Sequence, residues 1–324
     1  MCEVCGCDNG ATATAVNLQT GRVTPITGGQ TGPEHPAHGH MHSHGHAHLH
    51  EHVHADGTRH VHAFDDPHHR HHGETASQAG QTTMVEIGRR VLAKNDELAR
   101  QNRIWLAERH VLAVNLMGAP GAGKTALLER TIHHIGTTSP LFVLEGDQAT
   151  LNDSERIRAA GANAVQVNTG TGCHLDAEMV ARGLAELNPC DGGIVVIENV
   201  GNLVCPALFD LGERRRVVVF SVTEGEDKPI KYPHMFRAAD LVLLNKVDLL
   251  PHIEFDVARA VESARSVNPD VGILHVSSRT GEGLGAWCEW LRREQQELGR
   301  QPSPEEPETV GAIPPPSAAP RGST

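Results

Sequence analysis

Between residues 111 and 125 the chain reads Val-Leu-Ala-Val-Asn-Leu-Met, then Gly118-Ala-Pro-Gly121-Ala-Gly123, then Lys124-Thr125 opening a stretch of helical periodicity. No other feature restricts the fold so tightly. An apolar strand that breaks into a glycine-rich turn and at once starts a helix is the framework of a phosphate-binding loop. The glycines let successive backbone N–H groups turn inward at the positive end of the helix. Lys124 is then placed for β- and γ-phosphates, and the Thr125 hydroxyl for Mg²⁺.

The same alternation continues from about residue 82. Apolar, often β-branched runs predict strands at 111–117, 141–145, 164–167, 193–198, 216–222, 240–244 and 272–276. Periodicity predicts helices over 83–109, 124–135, 152–160, 174–187, 255–267 and 284–298. Continuous apolar strands separated by helices imply a mostly parallel sheet covered on both faces. Ligands of such sheets bind beyond the carboxyl ends of the strands, and the nucleotide and switch motifs all fall at such ends. The expected architecture is α/β: a P-loop GTPase domain over 81–299, between an unstructured metal-binding region at 1–80 and a Pro/Ser-rich tail at 300–324.

The nucleotide reading rests on a second motif. Asn245-Lys246-Val-Asp248 follows the run Asp-Leu-Val-Leu-Leu at once. One carboxylate can accept both hydrogens on the guanine edge, so Asp248 would select GTP and reject ATP. Asn245 would secure the far side of the base or tie loops together, Lys246 would lie along its face, and Ser277 opens a second base-contacting loop. Asp147 and Glu198 end core strands and are the candidate carboxylates for Mg²⁺. Glu198-Asn-Val-Gly201 has the form of a γ-phosphate switch, with Gly201 offering its N–H. The predicted catalytic set is Lys124, Thr125, Asp147 and Glu198; the predicted nucleotide contacts are Gly118, Gly121, Gly123, Lys124, Thr125, Gly201, Asn245, Lys246, Asp248 and Ser277. No glutamine is placed to orient water, which predicts slow intrinsic hydrolysis.

Composition divides the chain. Residues 1–80 hold sixteen of the 23 histidines and few large apolar side chains, too few to offset their ordering entropy. A net charge of −12, from 40 acids against 28 bases, disfavours nucleic acid as a partner and favours cations. No apolar run reaches the length of a membrane span, and the N-terminus lacks signal-peptide character, so a cytoplasmic location is expected. Seven cysteines then read as ligands or buried thiols rather than disulfides. Cys2, Cys5 and Cys7 can wrap one soft or borderline ion, leaving zinc, copper(I) and nickel open. The tract from His35 to His72 includes His38, His40, His42, His44, His46, His48, His50, His52 and His54 at alternate positions. Many imidazoles on a loose chain form a high-capacity, fast-exchanging reservoir. A third cluster, Cys173, His174 and Cys205, lies inside the nucleotide domain. Cys205 is close enough to Glu198 for a moving switch to carry a thiolate with it.

These blocks together resemble the hydrogenase maturation GTPases that insert nickel, the HypB family. The likeness covers nearly all of 84–298 and the Cys2–Cys7 motif. It includes Glu145-Gly-Asp-Gln-Ala-Thr150, Asn168 to Asp176, Glu198 to Pro206 and Lys228-Pro-Ile-Lys-Tyr-Pro233. The resemblance implies a high-affinity nickel site at Cys2, Cys5 and Cys7, and a domain site for nickel or zinc at Cys173, His174 and Cys205. It also implies a nucleotide- or metal-dependent homodimer, a HypA-type nickel metallochaperone as partner, and delivery to the large-subunit precursor of a nickel–iron hydrogenase. The related urease nickel GTPases generally use Cys-Pro-His at this site, whereas here Cys173 and His174 are adjacent and Cys205 lies apart. A nickel storage and detoxification protein is the reading from another class.

Overall fold

The computed structural model describes residues 13–26, 49–53, 59–63, 74–135, 139–147, 152–170 and 172–300. Two compact units are present, one formed by Met1–Thr27 with Val91–Thr324 and the other by Gly28–Arg90. The first strands are β1 (Ala13–Asn17), β2 (Val23–Ile26), β3 (Leu49–Val53) and β4 (Arg59–Ala63), followed by the long helix α1 (Glu74–Glu108). Then come β5 (Leu112–Gly118), α2 (Lys124–Ile135), β6 (Leu141–Asp147), α3 (Asn152–Ala159), β7 (Asn163–Asn168) and α4 (Ala177–Leu187). The chain continues through β8 (Ile194–Glu198), β9 (Arg215–Ser221), α5 (Lys228–Lys231), α6 (Pro233–Arg237) and β10 (Leu241–Asn245). It closes with α7 (Val257–Val267), β11 (Gly272–His275) and α8 (Leu284–Arg300); short 3₁₀ turns occupy Cys205–Ala207 and Val247–His252.

Seven strands pair in parallel in the order β11–β10–β9–β5–β8–β6–β7. Alternation along β5 shows why both faces are covered. Leu112, Val114 and Leu116 pack with Leu127, Leu128 and Trp287 from α2 and α8. Ala113 points the other way, into a cluster with Leu106 of α1 and Val180 and Leu184 of α4. A third cluster joins Met117 and Val218 to Phe236 and Ala260, from α6 and α7. Asn115 shares the face of Ala113 but is polar and fully buried, so its carboxamide needs partners inside the core.

The sequence reading placed no strand before residue 111. The structure adds β1, antiparallel to β7, and β2, antiparallel to β1, so the sheet has nine strands. Alternation over so few residues in a Gly- and Thr-rich stretch is a weak signal, and tertiary pairing decides it. In the other unit, β3 and β4 form an antiparallel pair with His50 opposite His62 and His52 opposite His60. The predicted ligands Cys2, Cys5, Cys7, His38, His40, His42, His44, His46, His48 and His54, and the tail 301–324, lie outside the described residues. Among the described residues no helix is long and apolar enough to cross a membrane.

Candidate functional site

The glycine-rich turn leaves β5 at Gly118 and enters α2 at Lys124, with β8 and β9 flanking β5 on either side. It borders a cleft of ≈ 430 Å³ lined by Gly121, Thr125, Asp147, Glu198 and Gly201 among others. Lys124 is buried, its Nζ donating to the carbonyls of Gly118 at 3.2 Å and Ala119 at 3.3 Å. The Thr125 hydroxyl donates to Glu198 Oε1 at 2.7 Å. Of the two candidate carboxylates, then, Glu198 is the one joined to Thr125, while Asp147 borders the same cleft from the end of β6. A hydroxyl and carboxylates around one phosphate-sized cleft are hard oxygen donors, the kind that suits Mg²⁺.

The predicted base-reading residues adjoin this loop. A cleft of ≈ 250 Å³ is lined by Gly123, Lys246, Asp248, Ser278 and Arg279. Ser277 Oγ donates to Asp248 Oδ1 at 2.6 Å, fixing the carboxylate. Asn245 serves as a tie: its Nδ2 donates to Ala122 O at 2.9 Å, and its Oδ1 accepts from Ser278 N at 3.2 Å and Ser278 Oγ at 3.1 Å. Gly123 permits this closeness, having φ +96° and a position where a Cβ would come within 2.6 Å of Asn245 Nδ2. Lys246 Nζ donates to Gly121 O at 2.7 Å. From α2, Arg130 holds the carbonyls of Ser278 and Arg279 at 3.0 and 2.8 Å. Phosphate loop and base loops are therefore one braced unit.

The third cluster is assembled from two loops. Ligand atoms of Cys173, His174 and Cys205 all lie within 4.8 Å of one another, and all three residues are half-buried. Among the described residues this is the one such cluster of three ligand-type side chains. The His174 ring stacks on Phe209, centroids 3.9 Å apart and planes inclined by 25°. Burial pushes the His174 pKa below its ordinary value, with the Asp176 charge opposing, a shift towards the neutral form that can ligate. Two thiols and an imidazole form a soft-to-borderline set that suits nickel or zinc and leaves a coordination position open.

Sequence reading missed the groups that hold these loops. Asn95 and Asn102, both buried on α1, grip Ala177 from two sides. Asn95 Oδ1 accepts Ala177 N–H at 2.9 Å, and Asn102 Nδ2 donates to Ala177 O at 2.9 Å. The same carboxamides donate to Asp210 O at 2.8 Å and Leu211 O at 2.9 Å. Gly212 lets that loop lie flat on α1: it has φ +88°, and a Cβ there would meet Ala99 O at 2.5 Å and Asn102 Cβ at 2.6 Å. Glu145 and Arg156 also border the phosphate cleft. The available signal was a polar residue amid apolar ones, as at Asn115 and Glu145, or on the buried stripe of a helix.

With this geometry in place, the likenesses to known proteins carry weight. The family model described as CobW/HypB/UreG, nucleotide-binding domain, matches residues 112–275. Over 215 residues the chain is 56% identical to the hydrogenase maturation factor HypB of Azotobacter chroococcum mcd 1, covering 66% of this chain and 70% of that one. Over 332 residues it is 39% identical to HypB of Cupriavidus necator, covering 90% and 88% respectively. The crystal structure of HypB from Helicobacter pylori in complex with nickel superposes with a TM-score of 0.59 at 34% identity, over 63% of this chain and 96% of that one. The chain belongs to the HypB family of hydrogenase maturation factors and carries that family's P-loop GTPase-type nucleotide-binding domain.

Proposed function

We propose that the protein is a GTP-hydrolysing nickel metallochaperone, which stores nickel and delivers it to the large-subunit precursor during maturation of a nickel–iron hydrogenase. The observation that carries this reading is the adjacency of two sites on one segment. Glu198, bonded to Thr125 at 2.7 Å, begins the stretch that reaches Cys205, whose thiol belongs to the three-residue ligand cluster. A related HypB structure holds nickel, which supports nickel as the cargo; zinc suits the same donors.

In the nucleotide cleft, the inward N–H groups of 118–123 and the Lys124 ammonium hold the phosphates, and Asp248, oriented by Ser277, selects guanine. Thr125 and Glu198 would hold Mg²⁺, with Asp147 beside them, and the bound ion would offset charge on the β- and γ-oxygens. Gly201, which lines the cleft, would offer its N–H to the γ-phosphate. Hydrolysis is slow, since among the described residues that line the cleft there is no glutamine to orient water. The reaction acts as a timer for the position of the 198–205 segment, and that position decides how tightly Cys205 engages the ion. The His35–His72 tract buffers nickel, and Cys2, Cys5 and Cys7 hold it tightly. The working form is a cytoplasmic homodimer that exchanges nickel with a HypA-type metallochaperone.

Storage as the main task is the competing reading, favoured by the density of histidines alone. In a hydrogenase-producing host with ample nickel, deletion of 35–72 should spare hydrogenase activity and Lys124→Ala should abolish it. If Lys124→Ala were harmless and the deletion blocked maturation at every nickel level, storage would be the function.

A further inference from the structure

The nucleotide cleft and the ligand cluster are joined by a second route, through buried amides. Asn199 follows Glu198, borders the phosphate cleft and is 1% exposed. Its Oδ1 accepts the N–H of Val200 at 3.0 Å and the N–H of Leu175 at 3.2 Å. Leu175 is the residue after His174. The Asn199 Nδ2 donates to Asn115 Oδ1 at 3.3 Å, and Asn115 Nδ2 donates to Glu213 Oε1 at 3.2 Å. The other Glu213 oxygen accepts Leu211 N–H at 2.7 Å, on the loop that follows Cys205. All three side chains are buried, and removing one leaves its neighbours with unmet hydrogen bonds.

The other ends of the two ligand segments are anchored elsewhere. Ala177, three residues after His174, is held at both its N–H and its carbonyl by Asn95 and Asn102. Asp210 and Leu211, beyond Cys205, are held by the same two residues. A displacement that enters at Leu175 is therefore confined to the few residues between the glycine turn at Gly172 and the anchor at Ala177. His174 lies in that interval. Bonds to nickel or zinc are about 2.0–2.3 Å long, so a shift of a few tenths of an ångström in one ligand alters how the ion is held.

We infer that Asn199 is the positioning residue through which the state of the nucleotide cleft reaches the histidine half of the metal pocket. When nucleotide exchange moves Glu198–Gly201, the Asn199–Leu175 hydrogen bond is drawn or released, and His174 shifts against Cys205. The phosphate switch thus acts on both sides of the pocket, on Cys205 through the chain and on His174 through Asn199. This inference rests on the nucleotide-gated metal reading above.

Coupling of this kind is shown by energetics, not by adjacency. The test uses the full chain carrying Cys2→Ser, Cys5→Ser and Cys7→Ser, so that thiolate-to-nickel absorption reports the domain pocket. Nickel dissociation constants are measured with saturating GDP and with a saturating non-hydrolysable GTP analogue, which removes any change in nucleotide affinity. With Asn199 intact, the two constants should differ by about fivefold or more. Asn199→Ser, whose hydroxyl is too short to reach Leu175, should shrink their ratio to the part carried through Cys205. Asn199→Asp retains an isosteric acceptor for the Leu175 N–H and should restore most of the difference. A ratio as large in Asn199→Ser as with Asn199 intact overturns this inference alone; a ratio of one with Asn199 intact overturns the gated reading with it. If Asn199→Ser does not fold, hydrogen exchange at the Leu175 amide of the wild type decides the matter. Rates that differ between the GDP and analogue states support the link, and equal rates refute it.

Discussion

The nucleotide cleft and the metal pocket lie on the same sheet but are built by different means. The cleft is braced by contacts within and between its own motifs: Asn245 on Ala122, Lys246 on Gly121, Ser277 on Asp248, Arg130 on Ser278. The pocket is braced from outside its own motifs as well as within them. Its ligands sit on two loops, and the carboxamides that fix those loops come from α1, β5 and the switch. A site that must hold one ligand class in one geometry is rigid from within. On the proposed function the pocket takes up and releases an ion, and whatever shifts its surroundings can change its grip.

Substitutions at three places test that contrast, in descending order of effect. Asp248→Asn should alter base preference by about 10⁴-fold, away from GTP and towards XTP, because the guanine hydrogens lose their paired acceptor. Competition binding reads this directly, and retention of wild-type GTP preference would remove Asp248 from base recognition. Cys205→Ala should weaken nickel binding at the domain pocket by on the order of 100-fold, since it removes a ligand rather than a supporting contact. An unaltered nickel titration would separate Cys205 from the site. The frame around the pocket should respond through stability. Gly212→Ala places a methyl against Ala99 O in a left-handed backbone position and should cost about 2 kcal/mol or more in urea denaturation. Arg103→Ala, which removes a half-exposed ion pair to Asp210, should cost about 1 kcal/mol or less. Equal losses from those two would mean that α1 holds the loop by charge and not by close backbone contact.

The same contrast explains what could be read from the chain. The run from Val111 to Thr125 and the Asn245–Asp248 block are local patterns. Their chemistry depends on residues adjacent in sequence, so strand, loop, helix and base motif all emerge from inspection. The seven parallel strands follow from their continuous apolar character. The carboxamides Asn95, Asn102, Asn115 and Asn199 form no such local motif, and a polar residue among apolar ones is a fainter mark. Their partners lie far away along the chain, and asparagine alone is as much at home in a turn as in a core. The β1–β2 hairpin was missed for a related reason, since its value lies in pairing with β7. For β3 and β4, a signal was present: His and non-His residues alternate on either side of Asp56-Gly57, a dipeptide that favours hairpin turns. The repetition of histidine drew the reading towards a loose reservoir and away from strand periodicity.

On the proposed function, the position of the pocket beside the switch is the nucleotide's means of controlling the cargo. In the braced cleft, loss of the γ-phosphate changes what Glu198, Asn199 and Gly201 face. In the pocket, Cys205 and His174 are the two groups tied to that segment. On that reading slow hydrolysis would set how long the ion is held, and an open coordination position would give a recipient's ligand room to enter before the protein's own ligands leave.

Nickel titration of the full chain carrying Cys2→Ser, Cys5→Ser and Cys7→Ser, with bound GDP and with a bound non-hydrolysable GTP analogue, followed at the domain pocket by thiolate absorption, is the most direct test. Nucleotide gating predicts dissociation constants that differ by about fivefold or more between the two states. Identical constants in both, with and without a HypA-type recipient present, would contradict it.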